Sequence, residues 1–290
     1  MNYTYEFFTK LPKELYPNYL QKFYKEIMGK SLNLKNPKAF SEKIQWLKLY
    51  DSTSLKTQLA DKLALRNIVR NIIPDLKFAN IYSVAHSFEE IDFDKCPTKF
   101  VLKTNFSCKD LLKIWDKSDF LSEEKRELFE NHKAYFKHLL ARHYAFNSCF
   151  ELHYKDIPRK IYAEEYIDNT EGEDGYVEYK INCFNGAPRY IEYFIDHEVG
   201  IFDIEWNQLD FAYIDYPKIT KCNVVEPKSL KKMLDYATIL SKSFKFVRID
   251  FYEYMDDLFL SEMTFTPFSG FTKFDPPEYD YKIGELLNIN

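Results

Sequence analysis

Ahead of Pro97, apolar residues recur at three- and four-residue intervals, the spacing of one helix face. Ser41 is placed to cap a short helix carrying Ile44, Trp46 and Leu47. The turn Asp51-Ser-Thr-Ser54 opens a second helix, with Leu55, Leu59 and Leu63 four apart, which Pro74 ends. Phe78 to Val84 reads as a short strand. Beyond Pro97 strands become frequent. Phe100 to Thr104 is a strand, and Ser122 with Glu123 and Glu124 opens a long helix to about Tyr144. Strands then follow over 160–167, 178–184 and 189–195, with Asn185-Gly186 a two-residue hairpin signal between the last two. Pro227 stands near the start of a helix with Leu230, Met233, Leu234, Ala237 and Leu240 on one face. The chain closes on strands over 246–252 and 258–265. No internal repeat or low-complexity linker interrupts this, so the pattern reads as α+β with largely antiparallel sheets.

Composition narrows the function classes. Aromatics make up 18% of the 290 residues, with 26 Phe and 23 Tyr, enough to fill a sizeable core. Most of the tyrosines are expected to be half-buried, and some to line a ligand groove. Only seven glycines occur, and none lies between Lys30 and Glu171. That excludes a P-loop and a Gly-x-Gly-x-x-Gly dinucleotide fingerprint. The net charge of -5 implies no broad basic face, so no nucleic-acid partner is expected. Five cysteines at 96, 108, 149, 183 and 222 form no Cys-x-x-Cys, and the six histidines share no metal-ligand spacing. Ser269-Gly270 is not a nucleophile elbow. No signal peptide is read in the opening residues, and no apolar run reaches the roughly 20 residues of a bilayer span. A cytoplasmic protein with no transmembrane segment is expected.

The last hairpin is the most informative piece. Val247, Ile249 and Phe251 alternate with Arg248, Asp250 and Tyr252, the first set for a core and the second for a cleft. On the partner strand Phe259, Ser261 and Met263 alternate with Leu260, Glu262 and Thr264. A turn over Met255 to Asp257 pairs Asp250 with Glu262 and Arg248 with Thr264. Opposed carboxylates repel each other, and a divalent metal offsets that repulsion because hard cations favour carboxylate oxygens. The alternative is an exposed sheet face whose charges sit in water and are neutralised by Arg248. Glu164 and Glu165 in Lys160-Ile-Tyr-Ala-Glu-Glu-Tyr-Ile167 point to opposite faces of a strand, so one can face a ligand. Lys103 and Lys180 lie on strands, where each is either a point charge for phosphate or a solvated lysine. Lys62, behind Asp61, reads as a surface helix lysine.

In order along the chain, these strings resemble the ATP-grasp superfamily, specifically its teichuronopeptide-type (TupA-like) branch. They run from Lys43-Ile-Gln-Trp-Leu-Lys-Leu-Tyr-Asp51 and Leu59-Ala-Asp-Lys-Leu-Ala-Leu-Arg66 through Phe93-Asp94 and Phe100-Val-Leu-Lys-Thr-Asn105. They continue with Pro158 to Tyr166, Tyr179-Lys180, Cys183-Phe-Asn-Gly186 and Asp203-Ile-Glu-Trp-Asn207. They end with Phe246 to Tyr252, Glu262-Met-Thr-Phe-Thr-Pro267 and Ser269-Gly-Phe271. The resemblance implies an ATP-grasp fold, with a helical N-terminal region at 1–97, a small subdomain at 98–170 and a C-terminal subdomain at 171–290. The two α+β subdomains clamp ATP between them. It also implies that Lys62 and Lys103 contact phosphates and that Lys180 adds a nucleotide contact. The resemblance further implies that Glu164 and Glu165, with the backbone of Tyr166 and Ile167, form the hinge that meets adenine and ribose. By the same resemblance Asp250 and Glu262 would hold magnesium, Thr264 would stand at a third ligand position, and Arg248 would stabilise the transferring phosphoryl group.

The reaction so implied joins a carboxylate to an amine through an acyl phosphate, with a sugar acid or polysaccharide intermediate as substrate and polysaccharide-assembly enzymes as associates. The alternatives are a degenerate ATP-grasp protein that binds a glycan or partner enzyme, and a polysaccharide-biosynthesis glycosyltransferase. Two departures stand near the expected site. After Lys-Thr-Asn the family usually carries a His and a glycine-containing loop; here the stretch is Phe106-Ser-Cys-Lys-Asp-Leu-Leu112. Either Ser107 and Lys109 compensate, or the loop does not close on ATP. Phe268 stands where a glycine is usual.

Overall fold

The structure is a computed structural model that describes residues 5–108, 110–118, 122–147, 149–169, 177–195, 197–219 and 224–290. Lys109, Gly172, Gly175 and Cys222 lie outside the described residues. Helices α1 (Tyr5–Thr9), α2 (Tyr16–Met28), α3 (Phe40–Tyr50), α4 (Ser54–Ala60) and α5 (Ala64–Ile72) come first. Strand β1 (Ile81–Ala85), β2 (Phe100–Thr104) and β3 (Leu111–Ile114) follow, then α6 (Arg126–Ala141), α7 (Tyr144–Asn147) and β4 (Ile161–Glu165). Next are β5 (Glu178–Phe184), β6 (Ala187–Ile195), β7 (Glu198–Phe202), β8 (Ala212–Tyr213) and α8 (Leu230–Ser241). The chain ends with β9 (Phe246–Tyr254), β10 (Asp257–Thr264), β11 (Phe274–Asp275) and α9 (Tyr279–Glu285).

Two antiparallel sheets carry the architecture. The smaller has strand order β1-β4-β2-β3 and the larger β10-β9-β5-β6-β7. In the small sheet, Phe100, Leu102, Ile161 and Ala163 pack with Phe136 and Leu139 of α6. Alternation then sends Lys103, Tyr162 and Glu164 to the opposite face. In the large sheet, Ile181, Val247, Ile249, Phe251 and Met263 pack with Met233, Ala237 and Leu240 of α8. Its other face is apolar at both ends. Phe184, Tyr190 and Phe246 meet Phe40 and Ile44 of α3 at one end. Tyr252 and Phe259 meet Ala79 and Ile167 at the other. The polar side chains lie between. Residue 77 bridges Phe259, and the chain runs from there into β1, so one short segment joins the sheets.

Several sequence expectations need correction. Ser41 is not a cap: the helix starts at Phe40, and Ser41 is buried inside it, bonded to Asp280. Thr53, whose hydroxyl accepts from Lys56 N, caps α4, but the helix stops at Ala60. Asp61 Oδ1 accepts from Leu63 N at 2.9 Å, and the chain restarts as α5. The leucine spacing therefore spans two helices, and Leu55 is exposed. Ser122 precedes a single 3-10 turn, with the α-helix running from Arg126 to Ala141. The first strand is shifted to Ile81–Ala85.

The final hairpin reaches the expected pairing by another route. Its turn has two residues, Met255 and Asp256, with φ of 50° and 63°. Tyr254 pairs with Asp257 and Phe251 with Leu260, and an irregularity at Ser261 restores Asp250 opposite Glu262 and Arg248 opposite Thr264. A bulge residue changes the phase of alternation. Leu258 and Leu260 consequently enter the core, and Phe259 joins Tyr252 on the cleft side, their rings stacked at 5.1 Å. The expected faces of Phe259 and Leu260 are thus exchanged. The two left-handed turn residues give a stability prediction. Converting Met255-Asp256 to Asn-Gly is expected to stabilise the protein by about 1 kcal/mol, because side chains other than Asn and Gly are disfavoured in that backbone region. The readout is a higher urea midpoint at unchanged slope.

Candidate active site

Three register relations set the site. Glu192 pairs with Lys180, Lys180 with Asp250, and Asp250 with Glu262. One row across β6, β5, β9 and β10 therefore reads Glu–Lys–Asp–Glu. The adjacent row reads Tyr190, Asn182, Arg248 and Thr264. Every member of both rows faces the same side, since each is one strand from its partner and two residues from its row neighbour.

Arg248 is the hub. Its Nε and Nη2 donate to the two oxygens of Asp250 at 2.8 and 2.7 Å. Nη2 also lies 3.5 Å from Thr264 Oγ1 and 3.7 Å from Glu262 Oε1. Lys180 Nζ is 2.6 Å from Glu178 and 3.5 Å from Asp250. Lys62 occupies the break between α4 and α5. It donates to Ser107 O at 2.7 Å and meets Glu262 Oε2 at 3.0 Å, so it spans from the small-sheet loop to the large sheet. It is not a surface helix lysine. Thr264 Oγ1 donates to Glu262 Oε1 at 2.9 Å.

Burial and charge set the titration. Burial pushes Asp250 up to about 6, even with Arg248 and Lys180 favouring its ionised form. Burial acts on Glu262 too, but Lys62, Arg248 and Lys180 outweigh it and hold that carboxyl well below its usual range. Lys180 and Lys62 are both raised, since the carboxylates Glu178, Asp250 and Glu262 overcome the desolvation that would lower them.

The small sheet contributes a second cluster. Lys103 Nζ donates to Glu164 Oε2, and Arg66 donates to Glu164 Oε1. Glu165 points the other way, accepting from Asn80 N and Nδ2 at 3.0 and 2.7 Å. The Tyr166 ring packs at 5.3 Å on Trp115 and lies under Lys99 Nζ at 3.9 Å. Ile167 is buried against Tyr252 and Phe259. A cavity of about 500 Å³ includes Glu165, Asn80, Phe78 and Phe259 in its lining, but neither Asp250 nor Glu262. Lys62, Lys180, Arg248, Asp250, Glu262 and Thr264 thus form one cluster, Lys103 and Glu164 a second, and Glu165, Tyr166 and Ile167 the connecting segment.

Ser107 does not offer a free hydroxyl. It is buried and bonded to Thr104 and Asp110, and Asp110 pairs with Arg142. Two site residues escaped the sequence. Arg66 stands in the sequence only as the end of the Leu59–Arg66 string, and Glu192 only inside the 189–195 strand. The cross-strand row that places Glu192 beside Lys180 appears only once the strand order is known.

The donor set suits magnesium. Asp250 and Glu262 offer hard carboxylate oxygens, directly opposed, and burial disfavours the ionised Asp250 that a cation would favour. Among the described residues no group of three or more His, Cys, Asp or Glu side chains is spaced for a metal. Magnesium commonly takes one or two carboxylates and fills its shell from phosphates and water.

The model of the TupA-like ATP-grasp family matches residues 42–288. The chain belongs to that family. Its fold is accordingly the α+β ATP-grasp fold. Solved structures similar to this TupA-like ATP-grasp chain include D-alanine–D-alanine ligase from Bacillus anthracis complexed with ATP. Identity is 14%, over 76% of this chain and 55% of the ligase, at a TM-score of 0.40. The Helicobacter pylori D-alanine–D-alanine ligase is 12% identical over 86% of this chain and 69% of its own, at 0.43. N5-carboxyaminoimidazole ribonucleotide synthetase from Thermus thermophilus is 12% identical over 71% and 45%, at 0.38. The TupA-like chain thus spans little more than half the length of the Bacillus anthracis ligase. No curated protein sequence matches it. Among the described residues no helix is long and apolar enough to cross a membrane.

Proposed function

We propose that this protein is an ATP-dependent carboxylate–amine ligase that forms an amide through an acyl phosphate. The carboxylate is a uronic acid or acidic substituent of a bacterial surface polysaccharide. The observation that carries the reading is the charge division across the site. Lys103 of the small sheet and Arg66 of α5 outnumber Glu164 on one side, whereas Glu178, Asp250 and Glu262 outnumber Lys180 and Arg248 on the large sheet. A polyphosphate fits the first surface and its counter-cation the second.

In this reading Lys62 and Lys103 hold phosphate oxygens as point charges. Lys180 adds a further contact, and the 164–167 segment meets adenine and ribose. Asp250 and Glu262 hold magnesium, with the Thr264 hydroxyl at hand. Bound there, the ion neutralises charge on the phosphates. Arg248 faces the charge that develops as the γ-phosphoryl group moves to the substrate carboxylate. The carboxylate oxygen bonds to phosphorus as the bond to ADP breaks. The amine then bonds to the acyl carbon, loses a proton and expels phosphate. The chain's part is to position and to stabilise charge.

The test is ADP release with uronic acids and amines, beside calorimetry with ATP and magnesium. Magnesium-dependent heat and amine-dependent ADP release are expected. Ser107, tied into the interior in place of a glycine loop, favours a second reading: a degenerate ATP-grasp protein that binds a glycan or partner enzyme. No heat with ATP and magnesium would select that second reading.

A further inference from the structure

Glu192 is 1% exposed, and its two oxygens have different surroundings. Oε1 accepts from Asn182 Nδ2 at 2.8 Å and from Tyr213 OH at 2.7 Å. Oε2 is buried with no hydrogen-bond donor in reach. Arg248 Nη1 stands 3.8 Å from it, beyond hydrogen-bond length. A buried carboxylate in a purely structural pair closes its hydrogen bonds, because an unmade one is costly. Here the acceptor is fixed by two donors on one oxygen and left open on the other.

Arg248 is the complementary piece. Its guanidinium has donors on three nitrogens. Nε and Nη2 are engaged by Asp250, while Nη1 is directed at Glu192. One buried cation therefore grips one carboxylate and stops short of a second. Lys180 and Lys62 are cations and can take no part in receiving it.

We propose that Glu192 is a positioning residue that takes over Arg248 when a divalent cation occupies Asp250. The inference rests on reading Asp250 and Glu262 as a magnesium pair. A cation on the Asp250 oxygens competes with Nε and Nη2 for the same lone pairs and repels the guanidinium. A buried guanidinium that loses its carboxylate is strongly disfavoured unless another is ready. Glu192 Oε2 is that carboxylate. It determines how readily Asp250 is released to serve as a ligand, and it keeps Arg248 beside the reacting phosphate once released.

The experiment is calorimetric titration of magnesium with a non-hydrolysable ATP analogue, on the parent protein, Glu192→Gln, Arg248→Met and the double variant. Glu192→Gln is expected to weaken magnesium about 10- to 100-fold. In the Arg248→Met background the same exchange is expected to have no further effect, since no guanidinium competes for Asp250. An equal loss in both backgrounds overturns the proposal, because Glu192 would then act through its charge alone. Parent-like magnesium affinity in Glu192→Gln overturns it too. If the parent binds no magnesium, the metal-pair reading falls and this inference falls with it. Should the variants fail to fold, the Arg248 Nε–H resonance of the parent decides. A shift on adding magnesium with the analogue is expected, and an unmoved signal overturns the proposal.

Discussion

Glu262→Gln is expected to lower ATP-dependent ADP release about a thousandfold, and Asp250→Asn to do the same. Either exchange removes a carboxylate proposed to hold magnesium, a contribution of several kcal/mol to the transition state at about 1.4 kcal/mol per tenfold. The two variants should differ in stability. Asp250 is fully buried and carries both Nε and Nη2 of Arg248, so its exchange weakens the pairing of a buried guanidinium. The Glu262 side chain is 22% exposed, and its exchange leaves Lys62 its bond to Ser107 O. A lower melting temperature is therefore expected for Asp250→Asn than for Glu262→Gln. Parent-like ADP release from both would remove the metal assignment.

The largest stability effect is expected at Gly284. A methyl group there would stand 2.2 Å from Lys38 O and 2.8 Å from Phe40 N. Both are backbone atoms, so no side-chain rotation relieves the clash. Gly284→Ala is expected to destabilise by about 3 kcal/mol or more, read by urea unfolding, with exposed Lys282→Ala near neutral. The contact matters to the site through α3. Asp280 of α9 accepts from Ser41 N and Oγ at 2.8 and 2.6 Å, and Lys43 Nζ reaches back to Gly284 O and Leu287 O. Further along α3, Gln45 and the buried Lys48 hold Ser269 O and Gly270 O, fixing the turn that follows β10. Prising α9 from α3 should therefore loosen residues 267–270 as well.

What the sequence disclosed follows from the range of each signal. The pairing of Asp250 with Glu262 was legible because a hairpin is local: two alternating strands and a short turn determine it. Asn185-Gly186 was legible for the same reason. The paired strand β3 was hidden because residues 106–112 were read as a loop, while its hydrogen bonds come from β2. Lys62 read as a surface lysine because helical spacing carried across Asp61. The side chain that breaks the helix, bonding Leu63 N and Asn105 Nδ2, is set by a tertiary contact. Glu192 was illegible because three separate registers align it with Lys180, Asp250 and Glu262. The roles expected of the hinge residues depend on a bound nucleotide and are not properties of spacing.

Ser261 has a consequence for how related chains can vary. It is the extra residue between the Phe251–Leu260 and Asp250–Glu262 pairs. A chain lacking it would keep both pairs and the same inward and outward faces, with a straighter, less twisted ladder. The distance in sequence from aspartate to glutamate can therefore change by one without parting the carboxylates. Among relatives, the ladder partner of the aspartate, rather than a fixed count of residues after it, identifies the opposed carboxylate.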